Sequence, residues 1–172
     1  GFTQMSRHAY GVDTAFHAIQ QGQEGSPRVG VILEYDALPE IGHACGHNVI
    51  AAAGLGAALA LAPLARSLGV SLEIFGTPAE EGGGGKIAMA RNGAFRNLDA
   101  AMMVHPGDVD LTAMRAIAIH ECCAHFHGRE AHAAAFPHKG VNALDGAVLA
   151  YNSIAALRQH CLLYTSDAAD DT

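Results

Sequence analysis

The chain has 172 residues, of which half are hydrophobic and only 16% are charged, which argues against wholesale disorder and predicts a globular core. Lysine and arginine total 10 against 17 acids, for a formal charge of −7, and this balance argues against a nucleic-acid-binding surface. The length suits one domain, or one domain and part of another.

The cysteines and the apolar runs indicate the cellular compartment and whether the chain crosses a membrane. Adjacent Cys122 and Cys123 should point to opposite faces of a strand, so the four cysteines do not form a disulfide framework, and we expect a reducing, cytoplasmic setting. No secretory signal is visible at Gly1. Residues 49–65 are uncharged but rich in Ala and Gly and interrupted by Pro63, so we interpret them as a buried helix of a soluble protein, with no membrane partner.

From residue 29 onward, strands and helices are predicted to alternate. The segment 12–19 fits either a strand or a short helix, whereas the helices 49–68, with a kink or break at Pro63, and 86–92 are clearer. Three short and nearly continuous apolar runs predict buried strands: 29–34, 70–75 and 98–104. This alternation is the signature of a parallel α/β sheet.

The pattern changes after residue 111, where a second and smaller domain is predicted to begin. Residues 113–126 predict one long strand, and residues 141–159 predict an amphipathic helix that Asn142 or Asp145 caps. The last segment, 161–172, continues no pattern and resembles translated sequencing-adaptor sequence, so we interpret it as a non-native tail.

Polar side chains follow each of the three predicted strands. Cys45 and His47 come after the first strand, Glu80 and Glu81 after the second, and His105 after the third. Because ligands bind beyond the carboxyl ends of parallel strands, we expect these side chains to meet at one edge of the sheet. Thiolate, imidazole and carboxylate are all metal ligands, so a metal site is predicted there.

Each of these signals has an ordinary alternative when it is taken alone. The Cys45–His47 pair would more often be a buried thiol beside a hydrogen-bonded histidine, or a nucleophilic thiol that the histidine activates. Paired acids such as Glu80 and Glu81 usually lie on a solvated surface. A hydrolytic metal site, however, needs two carboxylate roles, one that binds the ion and one that moves a proton.

Five motifs occur in the order and approximate spacing of one family. They are Glu-Tyr-Asp-Ala-Leu-Pro at 34–39, His-Ala-Cys-Gly-His-Asn at 43–48, Thr-Pro-Ala-Glu-Glu at 77–81, Val-His-Pro-Gly at 104–107 and Gly-Arg-Glu-Ala-His-Ala-Ala-Ala-Phe-Pro at 128–137. The chain resembles the aminoacylase-type metallopeptidases and amidohydrolases, peptidase family M20, from about residue 12 to residue 159. Asn48 after His47 resembles the p-aminobenzoyl-glutamate hydrolase and β-alanyl-lysine dipeptidase branch.

The resemblance implies a fold and a cofactor. Residues 1–111 would form part of an α/β, parallel-sheet di-metal exopeptidase catalytic domain, and residues 112–160 the first part of an α+β lid and dimerisation domain. Two divalent ions, zinc or manganese, would be bound, and the full-length protein would form a homodimer through the lid. The chain would be an internal fragment that lacks the last metal-ligating histidine of the family.

The resemblance also implies roles for individual residues. Glu80 falls on the general base of the family. His132 falls on the lid histidine that stabilises the tetrahedral oxyanion, and Asp36 falls on an acid that orients a ligand without itself binding the ion. Four residues fall on metal-ligand positions: Cys45, His47, Glu81 and His105.

The expected function is a metal-dependent hydrolase that cleaves the amide bond of N-acyl amino acids or small dipeptides with a metal-activated water. Two other functions remain open at this point. One is a non-catalytic fragment whose ligands hold a metal for stability, and the other is a hydrolase in which Cys45 is the covalent nucleophile.

Overall fold

The computed structural model describes residues 1–113 and 122–160, and the chain forms two compact units, Gly1–Thr112 and Ala113–Thr172. The boundary predicted from sequence lies between residues 111 and 112. The assignment of these units as catalytic and lid domains stays a prediction.

The first unit is an α/β structure around a five-stranded sheet with strand order β1-β2-β4-β3-β5. Its elements in chain order are β1 (Gln4–Arg7), β2 (Phe16–Gln20), β3 (Arg28–Glu34), α1 (His47–Leu61), β4 (Ser71–Thr77), α2 (Gly85–Arg91) and β5 (Ala100–Met102). Strand β3 pairs in parallel with both β4 and β5, which confirms the three predicted parallel strands. The α/β fold class is therefore confirmed.

The sheet as a whole is mixed, because the N-terminal segment adds two antiparallel strands to the three predicted parallel ones. Strand β1 pairs antiparallel with β2, and β2 pairs antiparallel with β4. Residues 8–15 join β1 to β2, and a connection this short can link antiparallel neighbours but not parallel ones. The segment 12–19, which fitted a strand or a helix, contributes to strand β2.

Strand β4 lies at the centre of the sheet, and all seven of its residues are buried. Successive side chains of a strand point to opposite faces. Leu72 and Ile74 accordingly join one core cluster, which includes Ala58 of α1, whereas Phe75 joins a second cluster with Met89 of α2. The two helices therefore cover opposite faces of the sheet, and the loops after the strands stay free to build a site.

Helix α1 is buried along one side only, so the predicted burial holds for the side that faces the sheet. Ile50, Gly54 and Ala58 face the sheet, whereas Leu55 and Leu59 are exposed. By length and composition alone the segment His47–Leu64 could cross a membrane, and 28% of it is buried in the protein. One such helix is weak evidence for a span, because core helices of soluble proteins share these properties. The absence of a membrane partner stays a prediction.

Two of the predicted elements in this unit are present but shorter than predicted. Helix α1 ends at Leu61 and passes into a 3-10 helix, Ala62–Leu64, so the predicted break at Pro63 is confirmed. Strand β5 is shorter than the predicted strand 98–104 and lies exposed at the edge of the sheet.

The second unit contains one long helix, α3 (Ala143–Ala156), followed by a 3-10 helix, Leu157–His160. The backbone N–H of Leu144 donates to the Asn142 side chain at 3.0 Å, which confirms the predicted cap. Residues 122–126 are not in a strand, so that part of the predicted strand 113–126 is wrong. The one bridge described in this part of the chain joins Arg129 to Val141, which leaves residues 122–126 without a pairing strand. Residues 114–121 and 161–172 lie outside the described residues.

Candidate metal centre

Polar side chains from four parts of the first unit meet at the carboxyl edge of the parallel strands. Glu34 is the last residue of β3, His47 is the first residue of α1, and His105 follows β5. Among the described residues, two groups of three have ligand atoms within 4.8 Å of one another, and both include His47: Glu34, His47 and His105, and His47, Glu80 and Glu81. The shared edge expected from the sequence thus brings together His47, both loop glutamates and His105.

The imidazole of His47 is buried and held in one orientation by Asp36. Its Nδ1 lies 3.1 Å from the Asp36 carbonyl oxygen and 3.1 Å from Asp36 Oδ1. A carbonyl oxygen and an ionised carboxylate only accept hydrogen bonds, so Nδ1 donates to them. In the neutral ring Nε2 therefore carries a lone pair, as metal-binding histidines require.

Three carboxylates surround that lone pair. His47 Nε2 lies 3.3 Å from Glu34 Oε2, 3.7 Å from Glu80 Oε2 and 3.7 Å from Glu81 Oε1. A positive charge at this point, on a protonated ring or on a bound metal ion, would balance the three anionic oxygens. With metal–ligand bonds of about 2.0–2.2 Å, neighbouring ligands in a tetrahedral site are about 3.3–3.6 Å apart. The spacing of these atoms thus fits a divalent metal ion.

His105 is oriented in the same way as His47. Its Nδ1 donates to the carbonyl oxygen of Pro106 at 2.7 Å, which leaves Nε2 free to bind an ion. The two imidazole rings are edge-on, with 6.3 Å between their centroids. Both histidines therefore have the tautomer that a metal ligand needs, and each is fixed by a backbone carbonyl.

Asp36 connects the loop after β3 to the loop after β4. Besides contacting His47, its Oδ2 accepts the backbone N–H of Glu81 at 2.9 Å. Burial alone would raise the pKa of Asp36, but hydrogen bonds from the Glu81 N–H, from its own N–H and from His47 lower that pKa below its ordinary value. This geometry agrees with the predicted role of Asp36, which is to orient a metal ligand without binding the ion itself.

The adjacent glutamates differ in their access to solvent. The Glu80 side chain is 43% exposed, whereas that of Glu81 is 17% exposed. A proton carrier must reach both water and substrate, whereas a ligand does not have to. This difference favours the predicted division, with Glu81 on the metal and Glu80 as general base, and both roles stay predictions.

Cys45 lies beside the site but belongs to neither of the two groups. The Cys45 residue is exposed. Hydrogen bonding to the Glu81 carboxylate and the charges of the nearby acids raise the pKa of its thiol. Its assignment as a metal ligand stays a prediction.

Glu34 and Lys86 also belong to the site, and neither was predicted from the sequence. Glu34 is 2% exposed, and its Oε1 is paired with the Lys86 ammonium of helix α2. Glu34 could have been predicted from its position. It stands two residues before Asp36, and residues two apart in an extended segment point to the same side. No signal pointed to Lys86, which meets Glu34 across 52 positions of sequence.

Gly46, just before His47, is expected to be sensitive to substitution. Its φ is +80°, and an added Cβ would lie 2.4 Å from Cγ of Pro106 in the loop that carries His105. We expect Gly46→Ala to lower the free energy of unfolding by about 2–4 kcal/mol, from backbone strain and the clash together. Chemical denaturation measures this loss.

Gly69 offers a matched control for that substitution. Its φ is +66°, and nothing lies within 4 Å of an added Cβ. Gly69→Ala therefore carries the backbone strain alone, and we expect a loss of about 1–2 kcal/mol. Equal losses for the two variants would mean that packing between the Gly46 and Pro106 loops contributes nothing.

His132 belongs to the second unit. Its Nδ1 accepts the backbone N–H groups of Ala134 at 3.3 Å and Ala135 at 3.1 Å. The proton of the neutral ring is then on Nε2, and the residue is exposed. This tautomer suits donation to a developing oxyanion, and the role itself stays a prediction.

Imidazole and carboxylate ligands at the carboxyl edge of an α/β sheet define a metal-binding α/β unit. Residues 30–169 match the family described as Peptidase family M20/M25/M40, and the chain belongs to this family. The resemblance inferred from the five motifs is thereby confirmed. The match includes residues 161–169, which are part of the segment predicted to be a non-native tail.

Two relatives and one solved structure illustrate the likeness. The chain is 46% identical to the Xaa-Arg dipeptidase of Mus musculus over 159 residues, which is 87% of this chain and 37% of the relative. It is 33% identical to one subunit of the p-aminobenzoyl-glutamate hydrolase of Escherichia coli (strain K12), over 94% of this chain and 37% of the relative. A Bacillus subtilis structure, described as a dinuclear metal binding peptidase from M20 family, has 21% identity and a TM-score of 0.47, over 57% of this chain and 31% of its own. The chain thus spans less than two fifths of the length of these relatives.

Proposed function

We propose that this chain carries the metal-binding part of a hydrolase that cleaves the amide bond of N-acyl amino acids or small dipeptides. The observation that carries the proposal is the lone pair of His47 Nε2, which Asp36 aims at three carboxylates. Membership of the peptidase family supports hydrolysis, and relatives named for a dipeptide and for p-aminobenzoyl-glutamate support the substrate class.

Two divalent ions, zinc or manganese, would supply the polarisation that makes a water nucleophilic. The protein's residues then have separate tasks. Glu80, with its exposed carboxylate, takes a proton from the attacking water and gives it to the leaving amine. His132, with its proton on Nε2, donates a hydrogen bond to the oxyanion.

A hydrolase that uses Cys45 as the nucleophile is less well supported. An activated cysteine needs a lowered pKa, which a neighbouring cation or a helix N-terminus can give. Around Cys45 the Glu81, Glu80 and Asp36 carboxylates instead raise the pKa of the thiol. Free thiols at Cys45 and at two further described positions agree with a reducing compartment, and we propose that the protein is cytoplasmic. We also propose that the full-length protein is a homodimer.

Metal removal tests the proposal. The full-length gene product is assayed with N-acyl amino acids, p-aminobenzoyl-glutamate and Xaa-Arg dipeptides. We expect dialysis against a chelator to abolish hydrolysis, and added zinc or manganese to restore it, because the metal-free site has no means to activate water.

Three outcomes separate the proposed function from its alternatives. Hydrolysis that survives complete metal removal, with a trapped acyl-thioester, would favour the Cys45 nucleophile. A fully metallated protein that hydrolyses none of the substrates would contradict the proposal. If such a protein also loses thermal stability when the metal is removed, the metal has a structural role.

A further inference from the structure

We propose that Glu34 is itself a metal ligand, binding through Oε2, and that Lys86 is a positioning residue that holds the carboxylate by its other oxygen. This inference rests on the proposed function only in that the site holds a divalent metal ion. None of the five family motifs assigns a role to Glu34, although it begins the first of them.

Glu34 lies closer to His47 than the two loop glutamates do. Of the three carboxylates that face His47 Nε2, that of Glu34 is the nearest, at 3.3 Å. Its ligand atom also lies within 4.8 Å of those of His47 and His105. These three residues come from the end of β3, the start of α1 and the loop after β5, so they converge on one point from three directions.

Glu34 is buried, and its two carboxylate oxygens have different surroundings. Oε1 is paired with the ammonium group of Lys86, whereas Oε2 lies 3.3 Å from Nε2 of His47 and accepts no hydrogen bond from the described residues. A buried carboxylate is costly unless its charge is compensated, and a metal ion between Oε2 and an unprotonated Nε2 would complete that compensation.

Glu73, another buried glutamate of the same sheet, shows the contrast. Arg28 Nε donates to Glu73 Oε1 at 2.6 Å, and His17 Nε2 donates to Glu73 Oε2 at 2.7 Å. Because an ionised carboxylate only accepts hydrogen bonds, Nε2 of His17 is the donor, and both oxygens of Glu73 have donors within hydrogen-bond distance. Glu34 has the same burial but only one such donor, which leaves Oε2 free for an ion.

Lys86 explains how Glu34 can bind through one oxygen. The lysine lies in the first turn of α2, and its side chain is 32% exposed. By holding Oε1, it directs Oε2 towards His47 and prevents both oxygens from binding the same ion. Partners behind a ligand typically change metal affinity by about 10–100-fold when they are removed.

The experiment measures metal binding by the full-length gene product without substrate. Zinc affinity is obtained by competition with a chromophoric chelator, and the cobalt-substituted protein gives an absorption spectrum that reports the ligand set. We expect Glu34→Gln to lower zinc affinity by at least about 100-fold and to change the cobalt spectrum. We expect Lys86→Met to lower affinity by about 10-fold with the spectrum retained, because the ligand set is intact.

Glu73→Gln is the matched control, since it removes a buried, paired carboxylate far from the site. It should lower thermal stability and leave zinc affinity and the cobalt spectrum unchanged. If Glu34→Gln does not fold, Glu34→Asp replaces it, because the shorter side chain keeps the charge but withdraws the oxygen from the ion.

Wild-type affinity and an unchanged cobalt spectrum in the Glu34 variant overturn the assignment. So does an equal loss of affinity in the Glu34 and Lys86 variants with both spectra unchanged, because Glu34 would then act only through charge. If only the proposed function fails, the result is different: the protein still binds metal with an affinity that depends on Glu34, but it hydrolyses no amide substrate.

Discussion

Replacing Glu80 by Gln is expected to reduce kcat by roughly 10²–10⁴-fold while the bound metal stays in place. The amide is close in size to the carboxylate but cannot take a proton from water. Glu80 lies 3.7 Å from His47 Nε2 with its side chain 43% exposed, so it reaches both the metal ligands and solvent. Steady-state kinetics of the full-length gene product, with metal analysis of the same samples, measure both effects.

Glu24→Gln is the control for this change, because Glu24 is an exposed acid in the loop between β2 and β3. It should leave both kcat and metal content at their wild-type values. If Glu80→Gln instead loses metal together with activity, Glu80 is a ligand and the roles of Glu80 and Glu81 are reversed.

His47→Gln is expected to remove metal binding and hydrolysis together. His47 is the one residue that the two groups of possible ligands share, and its Nε2 is central to both. We expect zinc affinity to fall by at least about 100-fold and hydrolysis to be lost at ordinary zinc concentrations. Competition with a chelator, followed by assays over a range of added zinc, measures the two losses.

His43→Gln tests whether any histidine in this loop would have the same effect. His43 is exposed and lies four residues before His47. The variant should bind zinc and hydrolyse substrate like the wild type. Zinc affinity that survives in His47→Gln would mean that the ion is held without the buried imidazole.

The sequence predicted those parts of the fold that depend on local pattern. The apolar runs of β3 and β4 and the break at Pro63 are read directly from neighbouring residues. The meeting of His47 and His105 could also be predicted, because carboxyl ends of parallel strands share one edge. Strands β1 and β2 could not be, because their short, mixed segments become strands only by pairing with each other and with β4.

The parts of the site that escaped prediction depend on contacts between distant residues. Lys86 reaches Glu34 only because α2 lies beside the end of β3, and no local pattern reports that contact. The close approach of Gly46 to Pro106 is likewise a property of two loops. The exposed side of α1 was missed for a related reason, since an uncharged Ala-rich stretch has no polar side to mark it.

The position of His47 as both a site residue and the first residue of α1 links metal supply to folding. The helix that starts there packs on β3 through Ile50, Gly54 and Ala58, and the unfolded chain scatters the residues that would hold an ion. An ion that binds only the native state raises the free energy of unfolding by RT ln(1 + [M]/Kd), about 2.7 kcal/mol at 100 times Kd. Metal starvation would then reduce the amount of folded protein as well as its activity, and the metal-free chain would be the form most exposed to proteolysis.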